Sequence, residues 1–150
     1  MTDYSLMNKQ LEALLSDESW FIPALSNASA LLMESMEDLN WAGFYLVKDG
    51  QLVLGPFQGK VACIHIAQGK GVCGTAFAED RLQLVKNVHA FPGHIACDSA
   101  SNSEIVIPIH QKGEIVAVLD IDSPSLNRFD ETDAAGLSEF VKVLEDTLTF

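Results

Sequence analysis

The sequence predicts an α+β fold, on three observations. Apolar residues keep helical spacing at both ends of the chain, two β-prone hairpin patterns lie between them, and a glycine closes each hairpin loop. Such a chain builds an antiparallel sheet from its middle and packs its terminal helices against it.

Residues 4–15 hold Met7, Leu11, Leu14 and Leu15 at helical intervals. A second helix follows Trp20-Phe21-Ile22-Pro23 and runs to about Asp38, with Pro23 in its first turn and Leu25, Ala28, Leu32 and Met36 along one stripe. The aromatic and methionine side chains here are assigned to the core. Residues 41–47 and 51–57 form the first hairpin around Lys48-Asp49-Gly50, read as a three-residue loop. Trp41, Gly43 and Tyr45 then face one way, and Ala42, Phe44 and Leu46 the other. A third strand over 61–66 carries Cys63 on the parity of Val61 and His65. A short helix over 72–79 puts Cys73 near its start, and 82–85 give a weak strand signal.

Residues 104–110 and 114–122 form the second hairpin, around Gln111-Lys112-Gly113. Pairing His110 with Glu114 sets Ile105 opposite Leu119, Ile107 opposite Ala117 and Ile109 opposite Ile115, all on one face. A terminal helix over 130–148 has an acidic first turn and a stripe of Leu137, Phe140, Val141, Leu144 and Leu148.

At 150 residues and 48% hydrophobic, the chain has the size of one domain, 1–150, with a full core. Its 21 acidic and 9 basic residues give a net charge of -12, which repels phosphate backbones and anionic lipid, so neither nucleic acid nor membrane is an expected partner. The N-terminus has no basic start with an apolar run, and a cytoplasmic protein is expected. In that compartment the three cysteines should rest as thiols.

The second hairpin's register brings acids together. It sets Glu104 opposite Asp120 on the face away from the isoleucines, with Asp122 two residues along. Carboxylates so close repel one another, and a partly dry site favours their neutral form, so at least one should titrate well above the ordinary value of about 4. A protonated carboxyl can then donate a hydrogen bond and deliver a proton.

Residues 89–104 read as a loop rich in small, turn-forming and ionisable residues, holding Cys97 just before the strand. A zinc site built from Cys73, His89, His94 and Cys97 lacks a compact knuckle and ranks low. A redox site needs a thiolate, a second thiol and an acid. Cys97 is the candidate nucleophile, with Cys63 or Cys73 to resolve it, and an imidazolium at His94 would favour the thiolate. Trp41 and Tyr45 could wall a pocket for a thioether-like group, although core packing accounts for Trp41 nearly as well.

Several uncommon motifs occur together: Asn40-Trp41-Ala42-Gly43-Phe44-Tyr45, residues 54–60, Gly69-Lys70-Gly71-Val72-Cys73-Gly74, Gly93-His94-Ile95-Ala96-Cys97-Asp98, Ser103-Glu104-Ile105 and Val118-Leu119-Asp120-Ile121-Asp122-Ser123. In this order they resemble the free methionine-(R)-sulfoxide reductases, enzymes of a single GAF domain. The resemblance implies a GAF-like fold with a six-stranded antiparallel sheet flanked by helices. It also implies thiol-dependent reduction of the free amino acid's R sulfoxide. Cys97 resembles the attacking thiol and Cys63 the thiol that resolves the sulfenic acid, while Cys73 matches a third cysteine whose part varies among members. Glu104, Asp120 and Asp122 match the carboxylates that hold the sulfoxide and the substrate's charged groups, and Trp41 and Tyr45 its aromatic wall. No bound cofactor or metal is implied; thioredoxin is the expected external reductant and a homodimer the expected assembly. The alternative is a non-catalytic GAF module sensing a small molecule or redox state.

Overall fold

The structure, a computed structural model, describes residues 1–94 and 99–150. Its elements in order are α1 (Tyr4–Leu14), α2 (Phe21–Ser35), β1 (Trp41–Lys48), β2 (Gln51–Gly59), β3 (His65–Ile66), α3 (Gly71–Glu79), β4 (Gln83–Val85), β5 (Ser103–Gln111), β6 (Glu114–Ser123) and α4 (Glu131–Thr147), with a 3₁₀ turn at Val88–Ala90. The strands form one six-stranded sheet ordered β3-β2-β1-β6-β5-β4, with every pairing antiparallel. The α+β expectation holds.

Alternation along the strands divides the core in two. Ala42, Phe44, Ile105, Ile107, Ile109, Leu119 and Ile121 pack with Met7, Leu11, Leu25, Leu32, Leu137, Phe140 and Leu144 from α1, α2 and α4. On the other face Trp41, Tyr45, Val106 and Val118 pack with Val72, Cys73 and Ala76 of α3. Each fully buried side chain of this kind contributes roughly 1.5–3 kcal/mol, which outweighs the weak intrinsic helix preference of segments this short. Asp130 caps α4 through a reciprocal box with Asp133. Leu14 departs from its expected stripe and Trp20 from the core to which it was assigned; both are exposed, because α1 ends at Leu14 and Trp20 stands before the first turn of α2.

Both hairpin loops are shorter than expected. Lys48 pairs with Gln51 and Gln111 with Glu114, so each turn has two residues, not three. Asp49 (φ 53°) with Gly50 (φ 77°), and Lys112 (φ 54°) with Gly113 (φ 80°), both adopt left-handed backbone, the pattern of a tight hairpin turn matched to strand twist.

The register of the second hairpin is also corrected. The shorter turn moves the pairing by one residue and an irregularity between Ile109 and His110 by one more, which places Ile105 opposite Ile121, Ile107 opposite Leu119, Ile109 opposite Ala117, and Glu104 opposite Asp122 instead of Asp120. The irregularity coincides with a contact distant in sequence. The His110 backbone N–H donates to Glu145 of α4 at 2.6 Å, and its ring lies between Asp80 (2.6 Å) and Glu145 (3.3 Å). The net slip is two residues, which restores side-chain parity, so Glu104, Asp120 and Asp122 still share the α3 face.

The third strand is two residues long, and Cys63 lies in the preceding loop. The chain leaves the ladder at Gly59, whose φ of 138° favours glycine and where a Cβ would come within 2.5 Å of the Trp41 ring.

Candidate active site

Three carboxylates meet a thiol where the β1, β5 and β6 ends face the start of α3. A pocket of about 580 Å³, its open mouth included, lies there. Trp41, Tyr45, Cys73, Glu104, Asp120 and Asp122 line it, so the structure brings together six of the eight expected site residues. Cys63 lies on the adjoining loop, and Cys97 lies outside the described residues.

The aromatic wall is built by period-two alternation. Trp41 and Tyr45 are four apart on β1 and so share a face, both 2% exposed, with ring centroids 5.9 Å apart, and Phe57 stacks behind Trp41 at 5.1 Å. Gly43 between them allows β2 to approach, since a Cβ there would meet the Phe57 Cβ at 2.3 Å. Each ring's polar tip has a partner, as buried Trp and Tyr require. Trp41 Nε1 donates to the Lys60 carbonyl at 3.1 Å, and the Tyr45 hydroxyl to the Cys63 carbonyl at 3.0 Å. The wall therefore also fastens the Cys63 loop to the sheet.

Burial dominates the electrostatics. It pushes the Glu104 carboxyl well above its ordinary range, and the charges of Asp120 and Asp122 push it further. Asp120 is raised by burial, and its Oδ1 is buried without a hydrogen-bond partner among the described residues. A buried acceptor left in this way awaits a donor. Cys73 is a free, buried thiol, its Sγ 3.9 Å from Glu104 Oε2; burial, then Asp120 and Glu104, push its titration well up, so it rests protonated. Burial raises the Tyr45 phenol likewise, which keeps it a donor.

One cysteine and two carboxylates are placed to share an ion: donor atoms of Cys73, Glu104 and Asp120 lie within 4.8 Å of one another. A thiol with two carboxylates mixes soft and hard donors and selects no metal clearly. Of the two histidines in the low-ranked zinc set, His89 is hydrogen-bonded elsewhere. His89 Nε2 is 2.8 Å from Asn102 Oδ1, and the His89 and His94 rings are 5.9 Å apart.

Two expectations are corrected here. Burial, followed by His89, lowers the His94 titration, so an imidazolium promoting a thiolate is disfavoured at that position, which is not helical. Cys63 is disulfide-bonded, where a resting thiol was expected; on a loop its sulfur is not committed to one strand face.

Lys70, Val72 and Ser101 also line the pocket and were missed as site residues, and His94, considered beside Cys97, lines it too. The Gly69-Lys70-Gly71 run was a usable signal, because left-handed glycines on either side of Lys70 turn the chain into α3 beside the site.

A GAF domain model matches residues 25–148. The chain is 53% identical to the free methionine-R-sulfoxide reductase of Escherichia coli, over 97% of this chain and 88% of that protein. The chain belongs to the free methionine-R-sulfoxide reductases of the GAF-domain family. It is 58% identical to Protein YtsP of Bacillus subtilis, over 97% of this chain and 91% of that one. Among solved structures, the reduced form of the Staphylococcus aureus fRMsr superimposes with a TM-score of 0.97 at 52% identity, covering 99% of this chain and 97% of that one. Family membership makes the chain an oxidoreductase. No helix among the described residues is long and apolar enough to cross a membrane.

Proposed function

We propose that this oxidoreductase reduces free methionine-(R)-sulfoxide to methionine, with Cys97 as nucleophile, Cys63 as resolving thiol and thioredoxin as the protein that returns both to thiols. The observation that carries this reading is the group of buried carboxyls beneath an aromatic wall, in which burial and the neighbouring acids raise the titration of Glu104 well above its ordinary range. A stable binding module gains nothing from acids that repel one another, whereas a sulfoxide oxygen needs a donor there.

In this mechanism the methyl and sulfur end of the substrate packs against Trp41 and Tyr45, and the sulfoxide oxygen points at the acids. A neutral carboxyl donates to that oxygen and makes the sulfur electrophilic. The Cys97 thiolate attacks the sulfur to form an S–S bond while the acid protonates the oxygen; the hydroxyl then passes from the substrate sulfur to the Cys97 sulfur as that S–S bond breaks, so methionine departs and Cys97 is left as sulfenic acid. The Cys63 thiol then displaces water and forms the Cys63–Cys97 disulfide, which a dithiol reduces in two exchanges. The protonated Cys73 is left out of this pairing and serves as a neutral neighbour of the acids.

The test is consumption of free methionine-(R)-sulfoxide in the presence of thioredoxin, thioredoxin reductase and NADPH. The expected result is steady turnover of the R form and none of the S form or of a peptide holding the sulfoxide. Tight binding of the R form without any methionine produced would instead support the sensor alternative.

A further inference from the structure

We propose that residues 60–64, above all Val61 and Ile64, form the docking surface for the protein dithiol that reduces the Cys63 disulfide. The inference rests on the reductase reading and adds where the reductant binds and which chemistry its surface must have.

Val61 is 88% exposed and Ile64 61%, and they flank the part-exposed Cys63. Two large apolar side chains exposed within four residues of one loop are grouped rather than scattered, as at contact surfaces. The loop is also held rigidly. Trp41 Nε1 binds the Lys60 carbonyl, the Tyr45 hydroxyl binds the Cys63 carbonyl, and the Leu54 N–H binds the Ile64 carbonyl at 2.8 Å. With the backbone fixed to the sheet, Val61 and Ile64 are presented outward at little ordering cost to a partner. β3, which follows at once, is an edge strand of the sheet.

Charge supplies an independent argument. The chain carries -12, yet between Asp49 and Glu79 there is no acidic residue, and that stretch holds Lys60 and Lys70. The Cys63 loop and its chain neighbours are therefore apolar and basic, although Val61 and Ala62 also border the acid-lined pocket, and the loop complements a partner whose redox cysteine has an apolar, neutral-to-acidic rim.

The exchange itself demands contact. A partner thiolate attacks the Cys63 Sγ, a mixed disulfide forms, and the sulfur formerly bonded to Cys63 leaves as thiolate. The partner's second thiol then attacks its own sulfur in the mixed disulfide, so that Cys63 departs reduced and the partner leaves with the disulfide. A new S–S bond of about 2.05 Å brings the partner's surface onto the neighbours of Cys63. A small dithiol performs the same chemistry without touching Ile64.

The experiment uses the oxidised full chain, as native protein, Ile64→Ser and Ile64→Leu. The probe is thioredoxin whose second active-site cysteine is replaced by serine, so that the mixed disulfide is trapped and its rate and site are read by mass spectrometry. Expected are trapping at Cys63, a rate about tenfold lower for Ile64→Ser, near-native trapping for Ile64→Leu, and equal reduction of all three by dithiothreitol. Native-rate trapping of Ile64→Ser, an equal slowing with dithiothreitol, or capture at another cysteine would overturn the docking surface. Absence of sulfoxide turnover by native protein with dithiothreitol would overturn the reductase reading instead, and the trapping result would stand by itself.

Discussion

A Cys97→Ser protein is expected to bind free methionine-(R)-sulfoxide and leave it unreduced, with turnover lower by roughly 10⁴-fold or more. A serine hydroxyl is not ionised at neutral pH and has no sulfur to take the oxygen as a sulfenic acid. Substitutions at the other cysteines separate the roles. Cys63→Ser should release one methionine per chain and then stall with thioredoxin, because the oxidised Cys97 has lost its internal partner. Cys73→Ala should keep turnover within about tenfold, since a buried thiol held protonated beside Asp120 and Glu104 is a poor nucleophile. Rapid-quench measurement of methionine formation distinguishes these three behaviours.

Glu104→Gln is expected to trade activity for stability. The amide can still donate to the sulfoxide oxygen and to Asp120 and Asp122, but it cannot give up a proton. Losing one carboxyl also reduces the repulsion that helps keep a proton in the group, which belongs to the cluster more than to one residue. A fall in kcat of about 10² to 10⁴ follows, with little change in KM. Stability should move the other way. The folded-state titration of Glu104 is raised above its ordinary 4.5 by burial and then by Asp120 and Asp122. A carboxyl raised in this way contributes its stability below the unfolded value, and that contribution is lost as pH rises through the folded value. Near pH 7 the amide avoids the loss, so the variant should be more stable by about 0.5–2 kcal/mol. Below about pH 4 the two proteins should converge. Urea titrations at pH 4 and pH 7 with parallel kinetics check both halves; reduced stability at pH 7 would contradict the proposed electrostatics.

The sequence disclosed the convergence of the acids because it depends on parity alone. Glu104, Asp120 and Asp122 occupy positions of one parity on two neighbouring strands, and the two-residue slip in pairing did not change their shared face. The opposing partner was misassigned because the turn is one residue shorter and because a non-local contact adds a second residue of slip: His110 turns its N–H to Glu145, a residue of the final helix. Turn length was misread where Asp49 and Lys112, neither of them glycine, adopt left-handed backbone. The overlong third strand has a similar origin. Residues 61–64 have strand composition, but the Trp41 and Tyr45 tips claim the Lys60 and Cys63 carbonyls. Periodicity reports which face a side chain takes; it does not report which distant polar group captures a backbone.

Fully reduced protein mixed with excess free methionine-(R)-sulfoxide, in the absence of any reductant, tests the central claim most directly. One methionine per chain is predicted, with the loss of two thiols, a Cys63–Cys97 link in the peptide map and an unmodified Cys73. Failure to produce methionine, methionine formed while all three thiols survive, or a link through Cys73 would contradict it.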